Sequence, residues 1–252
     1  MMRSILRKRQ KTLGVIPARY NSSRLPGKPL FLINGKPLIQ KVFENASKSE
    51  SLDKLLVATD DRRILNLVKK FGGEAVITSK KHKTGTDRVF EVSRNLNYDI
   101  VLNIQCDEAS LNPKIIDKLV SHMRKDKKIL MGTLATKIKD EKHLKNPNLV
   151  KVALDKNGYA LYFSRYPIPF LRTDGYKPKK FCFYEHIGIY AFRKSFLKEF
   201  SKLPQTPLEK SERLEQLRAL ENGYKIKVII TRYNSFALNC YADLKKLSRK
   251  KV

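Results

Sequence analysis

This chain has few cysteines, no long apolar run and few acidic residues, and each shortage excludes a class of protein. Its three cysteines, Cys106, Cys182 and Cys240, lie far apart and form no C-x-x-C pair. Such spacing argues against a disulfide framework or a zinc site and favours a reducing compartment. No apolar run approaches the ~20 residues that span a bilayer. We therefore expect a cytoplasmic protein without a membrane segment.

The 24 acidic residues stand against 53 lysines and arginines, which gives a formal net charge of +29. Such a charge attracts anionic partners, namely nucleic acid, acidic membrane surfaces or phosphorylated metabolites. However, the lysines are scattered, and no zinc finger, RRM signature or aromatic-studded basic stripe is present. Binding to nucleic acid or to an anionic surface is therefore kept only as an alternative function.

The first eleven residues, MMRSILRKRQK, carry positive charge but no apolar core of signal-peptide length. We expect residues 1–11 to form a basic tail that frays ahead of the first strand, with an organelle transit role as the weaker alternative. No repeat or long linker interrupts the remainder. Residues 12–252 are predicted to form a single domain, large enough to bury a full core.

Short apolar runs alternate with amphipathic stretches through the first two-thirds of the chain. Strands are predicted at TLGVIPA (12–18), KLLVATD (54–60), EAVITS (74–79) and DIVLNIQCDEA (99–109), with helices between them. This order favours an α/β fold with a mainly parallel sheet flanked by helices. Because ligands bind outside the carboxyl ends of such strands, we expect the first and the last of these strands to end at one common site.

The later part of the chain has a different pattern and predicts an inserted β-rich subregion. The stretch LVKVALDKNGYALYFSR (149–165) places two strands around DKNG, a hairpin signal, and EHIGIYAF (185–192) predicts another strand. The stretch PLEKSERLEQLRALENG (207–223) predicts one helix that ends at its closing glycine. A strand over 224–231 and a final helix over 242–250 complete the expected fold.

The first loop, ARYNSSRLPGK over 18–28, combines cations with a flexible turn directly after the first strand. Backbone N–H groups at such a place, beside Arg19 and Lys28, make a cradle for phosphate, and Gly27 lets the backbone approach closely. The G-x-x-x-x-G-K-[ST] pattern of the common ATPase loop is absent. The alternative interpretation is a surface turn with scattered cations.

The stretch VIPARYNSSRLPGKPL resembles the nucleotide-binding signature of the CMP-sugar synthetases, and most closely that of the 3-deoxy-manno-octulosonate cytidylyltransferase (CMP-Kdo synthetase) family. Further matches follow in the family's order: VATDD (57–61), TGTDR (84–88), NIQCDE (103–108), NPNLVKVALDKNGYALYFSR (146–165), HIGIYAF (186–192) and LEKSERLEQLRAL (208–220). They cover nearly the whole chain. The resemblance implies a nucleotidyltransferase-like α/β fold, usually dimeric through the β-rich subregion. It also implies an enzyme that uses CTP to activate the acid sugar Kdo for lipopolysaccharide or surface polysaccharide synthesis.

The resemblance also implies roles for individual residues. The residues expected to bind the nucleotide are Arg19, Ser22, Ser23, Lys28, Thr84, Gly85 and Thr86. The residues expected to bind the acid sugar are Gln105, Arg165, His186, Glu215 and Gln216. The expected catalytic residues are Arg19, Lys28 and Asp107, and the cofactor Mg²⁺ is expected at Asp107 and at position Asn239.

These residue types suit the implied reaction, in which the anomeric hydroxyl of the sugar attacks the α-phosphorus of CTP and pyrophosphate leaves. Catalysis of phosphoryl transfer depends mainly on positioning and charge stabilisation. Arginine and lysine stabilise the leaving pyrophosphate, and a magnesium ion held by carboxylates bridges phosphate and the attacking oxygen. Structural alternatives remain open: Arg165 as a strand-end charge, His186 as a core histidine, and Glu215 with Gln216 as a solvated helix face.

Two positions depart from the family's pattern beside the expected metal. Where the family reads roughly G-V-D-T-x-E-D-L, this chain reads ALNCYADL over 237–244. Asn239 therefore replaces a metal-binding aspartate and offers an oxygen without the charge, and Cys106 stands where the family has glycine. The sequence leaves three alternatives: an enzyme with a weaker or shifted metal site, an enzyme for another acid sugar, or a homologue that binds without catalysis.

Overall fold

The alternating segments build a mixed sheet flanked by helices, in a computed structural model that describes residues 9–21, 25–172, 181–233 and 238. The main sheet of these residues has the strand order β11-β7-β10-β6-β1-β4-β5, and β2 and β3 form a separate ribbon. The strands are β1 (Thr12–Ala18), β2 (Leu32–Ile33), β3 (Lys36–Pro37), β4 (Lys54–Thr59), β5 (Ala75–Ile77), β6 (Ile100–Asn103), β7 (Met131–Lys137), β8 (Lys151–Leu154), β9 (Ala160–Ser164), β10 (Tyr184–Arg193) and β11 (Ile226–Thr231).

Several of the helices begin where a side chain caps the first N–H groups. Asp61, Thr84 and Asn112 each accept a backbone hydrogen bond at the start of the second, third and fourth helix. Within the described ranges, no helix is long and apolar enough to cross a membrane. The helices are α1 (Leu38–Ala46), α2 (Arg62–Lys70), α3 (Gly85–Ser93), α4 (Pro113–Lys125), α5 (Glu141–Lys145), α6 (Lys194–Phe200), α7 (Pro207–Glu212) and α8 (Leu217–Glu221).

The expected mainly parallel sheet is confirmed, and its antiparallel pairs are those of β10 and of the hairpin β8–β9. β1 pairs in parallel with β4 and β6, β4 with β5, and β11 with β7. β10 lies antiparallel between β6 and β7, so the strand predicted over 185–192 belongs to the centre of the main sheet. The predicted hairpin forms as β8 and β9 and attaches to the outer end of β10.

The core lies on both faces of the sheet, because neighbouring residues of a strand point to opposite sides. On β6, Ile100 and Leu102 pack into one buried cluster, whereas Val101 packs into the other. Burial on both faces explains why these strands read as almost continuous apolar runs rather than as an alternating pattern.

The single helix predicted over 207–223 is wrong, since the structure has two short helices with a break between them. Arg213 adopts the left-handed conformation (φ 54°, ψ 47°) directly after α7. In a continuous helix, Glu209 and Arg218 would lie about 13 Å apart along the axis. The break brings them together in a buried bidentate ion pair of 2.6 and 2.8 Å. Tertiary pairing therefore overrides the local helical pattern.

The structure adds β7, α5 and α6, which the sequence pattern does not predict. β7 reads MGTLATK, whose buried small and hydroxyl residues give no clear strand signal. The helix predicted over 242–250 lies outside the described residues and stays a prediction. The division into a tail over 1–11 and a domain over 12–252 also stays a prediction.

We expect Arg218→Met to lower the free energy of unfolding by about 3–5 kcal/mol, because it leaves the buried carboxylate of Glu209 without a counter-charge. The side chains of this pair are 4% and 5% exposed. The matched control is Lys145→Met, which breaks a pair with Glu141 whose side chains are 71% and 52% exposed. That loss should cost under about 1 kcal/mol. Urea unfolding measures both, and equal losses would contradict the role of burial.

Candidate active site

The loops after β1, β5 and β6 meet at one edge of the sheet, around an open cleft of about 660 Å³. This edge is the one at which parallel α/β sheets place their ligands. The cleft also receives α3, α7 and the break before α8. Its lining residues are Pro17, Arg19, His82, Lys83, Thr84, Gly85, Arg88, Gln105, Gln205, Glu209, Lys210, Arg213 and Glu215.

The first loop folds back on itself before its lysine. The Gly27 N–H donates to the Tyr20 carbonyl at 2.8 Å, and the Lys28 N–H donates to the Leu25 carbonyl at 3.1 Å. Gly27 has φ +71°, and a Cβ there would lie 3.2 Å from the Tyr20 ring, so glycine is required. The turn therefore fixes the position of the Lys28 backbone. Ser22 and Ser23, predicted nucleotide-binding residues of this loop, lie outside the described residues.

Lys28 and Asp107 form a partly buried ion pair at the end of β6. The Lys28 ammonium donates to Asp107 Oδ2 at 2.7 Å and to the Leu238 carbonyl at 2.9 Å. The Leu238 N–H in turn donates to the Asp107 carbonyl at 3.0 Å. Two oxygen atoms thus converge on one cation. Asn239 follows Leu238 in the chain but lies outside the described residues.

No group of three or more His, Cys, Asp or Glu side chains in the described ranges could hold a metal ion. Cys106, beside Asp107, is buried among apolar residues, and this burial raises the pKa of its thiol to about 12. It therefore stays neutral and packs into the core. The cysteine that replaces the family's glycine points to packing rather than to chemistry.

A partly buried ion pair that the sequence analysis missed joins three of the loops. Arg88, 3% exposed, donates to Asp60 at 2.9 Å and also bonds the Thr78 hydroxyl. Asp60 accepts a further bond from the Tyr20 N–H at 3.4 Å. Asp60 belongs to the motif VATDD and Arg88 to the motif TGTDR. These motifs were the sequence signal that could have identified the pair. Their pairing holds the loops after β1, β4 and β5 in one arrangement.

The start of α3 forms one wall of the cleft. Thr84 caps the helix and exchanges hydrogen bonds with Asp87, each 3.1 Å long. A Cβ at Gly85 would lie 3.3 Å from the Pro17 ring, so the helix packs closely on the end of β1. Thr84 and Gly85, which are both predicted to bind the nucleotide, line the cleft. Thr86 is 2% exposed and lies beneath the wall.

A chain of hydrogen bonds runs under the cleft from β6 to the segment before α8. Gln105 Nε2 donates to Asn103 Oδ1 at 3.1 Å, and Asn103 Nδ2 donates to the Thr86 hydroxyl at 3.0 Å. The Thr86 hydroxyl donates to Glu215 Oε2 at 2.9 Å. Asn103 was not among the predicted site residues. The chain joins three separate motifs of the sequence into one floor.

Glu215 and Gln216 carry polar atoms that lack partners. Burial raises the pKa of Glu215 to about 7, although hydrogen bonds from Thr84 and Thr86 lower it. Glu215 Oε1 and Gln216 Nε2 are buried and have no hydrogen-bond partner within the part of the chain that the structure describes. Buried polar atoms are nearly always bonded. An unpartnered atom at the floor of a cleft is therefore available to a ligand.

Two predicted sugar-binding residues make their contacts away from the cleft lining. His186 Nε2 lies 2.9 Å from the Thr133 hydroxyl, and burial lowers the pKa of the ring to about 3, so it is neutral. The Arg165 guanidinium donates to the carbonyls of Glu212 at 2.8 Å and Pro147 at 3.1 Å. These contacts fit the structural alternatives, and a role of either residue in sugar binding stays a prediction.

The cleft instead carries exposed cations that the sequence analysis did not select. Lys83 precedes the cap of α3, Lys210 belongs to α7, and Arg213 occupies the break after α7. Together with Arg19 they give the cleft a positive wall. Such a wall suits a ligand that carries several negative charges.

Comparisons with known proteins cover most of the chain. Residues 13–226 match the family model described as cytidylyltransferase. Curated relatives named 3-deoxy-manno-octulosonate cytidylyltransferase include one from Thermodesulfovibrio yellowstonii, 49% identical over 92% of this chain and 95% of the relative. Others come from Fusobacterium nucleatum (47% identical, covering 94% and 95%) and Geotalea daltonii (44% identical, covering 94% and 96%).

Solved structures agree with the sequence comparison. A CMP:2-keto-3-deoxy-manno-octonic acid synthetase complexed with CTP has a TM-score of 0.87 at 40% identity, covering 94% of this chain and 97% of that one. A cytidylyltransferase from Leptospira borgpetersenii has a TM-score of 0.63 at 15% identity, covering 95% and 86%, and shares the fold. On these matches, the chain belongs to the cytidylyltransferase family, among the 3-deoxy-manno-octulosonate cytidylyltransferases.

Proposed function

We propose that this protein transfers CMP from CTP to 3-deoxy-manno-octulosonate and releases pyrophosphate. The observation that carries the proposal is that a single cleft combines a positive wall, which includes Arg19, with a polar floor at Glu215. The Lys28–Asp107 pair lies at the adjoining strand end. A triphosphate needs the first feature and a polyhydroxylated acid needs the second. The names of the relatives supply the nucleotide and the sugar.

The reaction needs the two substrates in line, since little covalent chemistry falls to the protein. Arg19 and Lys28 bind the triphosphate, and their charges stabilise the pyrophosphate as it leaves. Thr84 and Gly85 contact the nucleotide where α3 begins. The floor at Gln105 and Glu215 holds the sugar, so that its anomeric hydroxyl faces the α-phosphorus.

Magnesium is the cofactor we propose, and the donor atoms of this site fit it. The Asp107 carboxylate and the Leu238 carbonyl already direct two oxygens at one cation, the Lys28 ammonium. Magnesium prefers such hard oxygen ligands. Asp107 would hold the ion, with the amide oxygen of Asn239 as a neutral second ligand. When bound, magnesium neutralises charge on the phosphates.

An enzyme for a different acid sugar is the second candidate. It is favoured by the contacts of Arg165 and His186, which occupy these side chains away from the cleft lining. For Kdo and for another acid sugar alike, the Lys210 and Arg213 side chains on the cleft wall would bind the substrate carboxylate. Comparison of Kdo with other acid sugars as acceptors distinguishes the two candidates.

We also propose a cytoplasmic homodimer. Cys106 and Cys182 are free thiols, which suits a reducing cytoplasm. The hairpin and the segment after it expose an apolar surface, on which Leu161 is 64%, Tyr166 76% and Phe170 84% exposed. Exposed apolar patches of this kind mark protein–protein contacts.

The direct test is release of pyrophosphate from CTP and Kdo in the presence of magnesium, with ATP as the competing nucleotide. Arg19→Ala and Lys28→Ala should each raise the KM for CTP about 10- to 100-fold, because each removes a charge-assisted contact. Lys125→Ala, which removes an exposed cation at the far end of α4, is the control and should leave the KM unchanged.

Two results would count against this function. Equal turnover with ATP and CTP would contradict the proposed specificity for cytosine. A parent protein that releases no pyrophosphate would contradict the proposed reaction. If the parent is active but both loop variants keep its KM for CTP, the nucleotide binds elsewhere.

A magnesium titration tests the metal site. Asn239→Asp should lower the magnesium concentration for half-maximal turnover, because a second carboxylate attracts a divalent cation more strongly. Asp107→Asn should nearly abolish activity, since no carboxylate of the pair remains. Should Asn239→Asp leave the titration unchanged, position 239 does not contact the metal.

Sedimentation equilibrium tests the dimer. Leu161→Glu and Phe170→Glu place charge on the exposed patch and should convert the dimer to a monomer, since unpaired charge is costly to bury. The control is Leu32→Glu, at a leucine that is 63% exposed in β2, outside the patch. A monomeric parent, or variants that dimerise like the parent, would show that this surface is not the interface.

A further inference from the structure

A chain of three hydrogen bonds runs under the cleft from Gln105 to Glu215. When Glu215 is ionised, only one assignment of donors and acceptors allows all three bonds to form. A carboxylate can only accept, so the Thr86 hydroxyl must donate to Glu215. The Thr86 oxygen then accepts from the Asn103 amide N–H, as the 3.0 Å contact requires. Asn103 is left with its carbonyl oxygen, which accepts from Gln105 Nε2 at 3.1 Å.

This direction decides which atoms remain for a ligand. Gln105 uses one of its two amide N–H groups inside the chain, so the second N–H and Oε1, which accepts no hydrogen bond from the described residues, both remain. At the other end, Glu215 Oε1 is buried without a partner in the described part of the structure. Both ends of the chain therefore offer oxygen acceptors to the cleft. Acceptors bind the hydroxyl groups of a sugar and repel its carboxylate.

We infer that Asn103 and Thr86 are positioning residues for the acid sugar, because they orient Gln105 and Glu215 so that both present acceptors to the substrate hydroxyls. The inference rests on the proposed function for the identity of the sugar. It assigns the substrate carboxylate to the cationic wall of the cleft, where Lys210 and Arg213 lie. Neither positioning side chain lines the cleft, and Asn103 is completely buried.

The ionisation of Glu215 links the chain to pH. The groups that act on this carboxyl are the Thr84 and Thr86 hydroxyls and the Arg218 charge, which lower its pKa, and the Asp87 charge, which raises it. Since its pKa is about 7 in the folded protein against an ordinary value of 4.5, the protonated form is favoured by folding. That stabilisation is fully present below pH 4.5 and is lost as the pH rises through 7.

The test compares steady-state kinetics of Thr86→Val, Asn103→Leu and Thr86→Ser with the parent. Thr86→Val and Asn103→Leu should raise the KM for Kdo about tenfold, while the KM for CTP changes less than about twofold. Thr86→Ser keeps the hydroxyl and should match the parent. The matched control is Thr12→Val, which loses a 2.9 Å bond from Arg124 at the far end of β1 and should leave both KM values unchanged.

A pH series supplies a readout that packing alone would not move. In Thr86→Val, the carboxyl loses a donor, so the apparent pKa near 7 in kcat/KM for Kdo should move upward. The fall in thermal stability between pH 5 and pH 8 should also deepen relative to Thr86→Ser, and Glu215→Gln should flatten it. The stability series needs no substrate, so it also tests the chain if the parent proves inert with Kdo.

Several outcomes would overturn the inference. Folded Thr86→Val with the parent's KM for Kdo would do so, as would a rise in the KM for CTP, which would assign Thr86 to the nucleotide. If Asn103→Leu does not fold, Thr86→Val decides alone. Equal pH slopes in Thr86→Val and Thr86→Ser would show that the chain does not act on Glu215. The parent could be inert with CTP and Kdo while Thr86→Val and Thr86→Ser differ in the pH dependence of thermal stability. That result would reject the proposed function and retain the action of the chain on Glu215.

Discussion

The ion pair between the buried Arg88 and the partly buried Asp60 is the contact on which the cleft depends. It joins α3 to the loop after β4. Asp60 also accepts a hydrogen bond from the Tyr20 N–H, which links the first loop, after β1, to the same pair. A buried pair adds little net stability, but removal of one partner leaves an unpaired charge and costs several kcal/mol. This pair therefore favours the arrangement of the loops after β1, β4 and β5 in which it is satisfied, and that arrangement forms part of the cleft.

Charge is distributed unevenly around the cleft, and this suits two anionic substrates. Exposed cations form the wall, whereas the floor offers the oxygens of Gln105 and Glu215. The Lys28 ammonium neutralises the Asp107 carboxylate in the loop after β6.

Much of the fold follows from local pattern. The first strand and the hairpin around DKNG lie where the apolar run and the turn signal predict them, because residues close in the sequence decide these elements. The prediction of one long helix over 207–223 is wrong because of a tertiary contact, which no local sequence pattern contains. The Glu209–Arg218 pair, nine residues apart, forms only when the helix breaks at Arg213.

The sequence by itself determined the residue types of the site and the order of its motifs: the cations and turn of the first loop, Asp107 after β6, and the Glu-Gln pair before α8. Tertiary structure alone decided which of them act together. It joined Thr86, Asn103 and Glu215, of which the first and the last lie 129 positions apart in the chain, and it placed Arg165 and His186 in hydrogen bonds with other residues of the protein. The physical reason is that hydrogen-bond direction and burial depend on neighbours in space, which the order of residues does not specify.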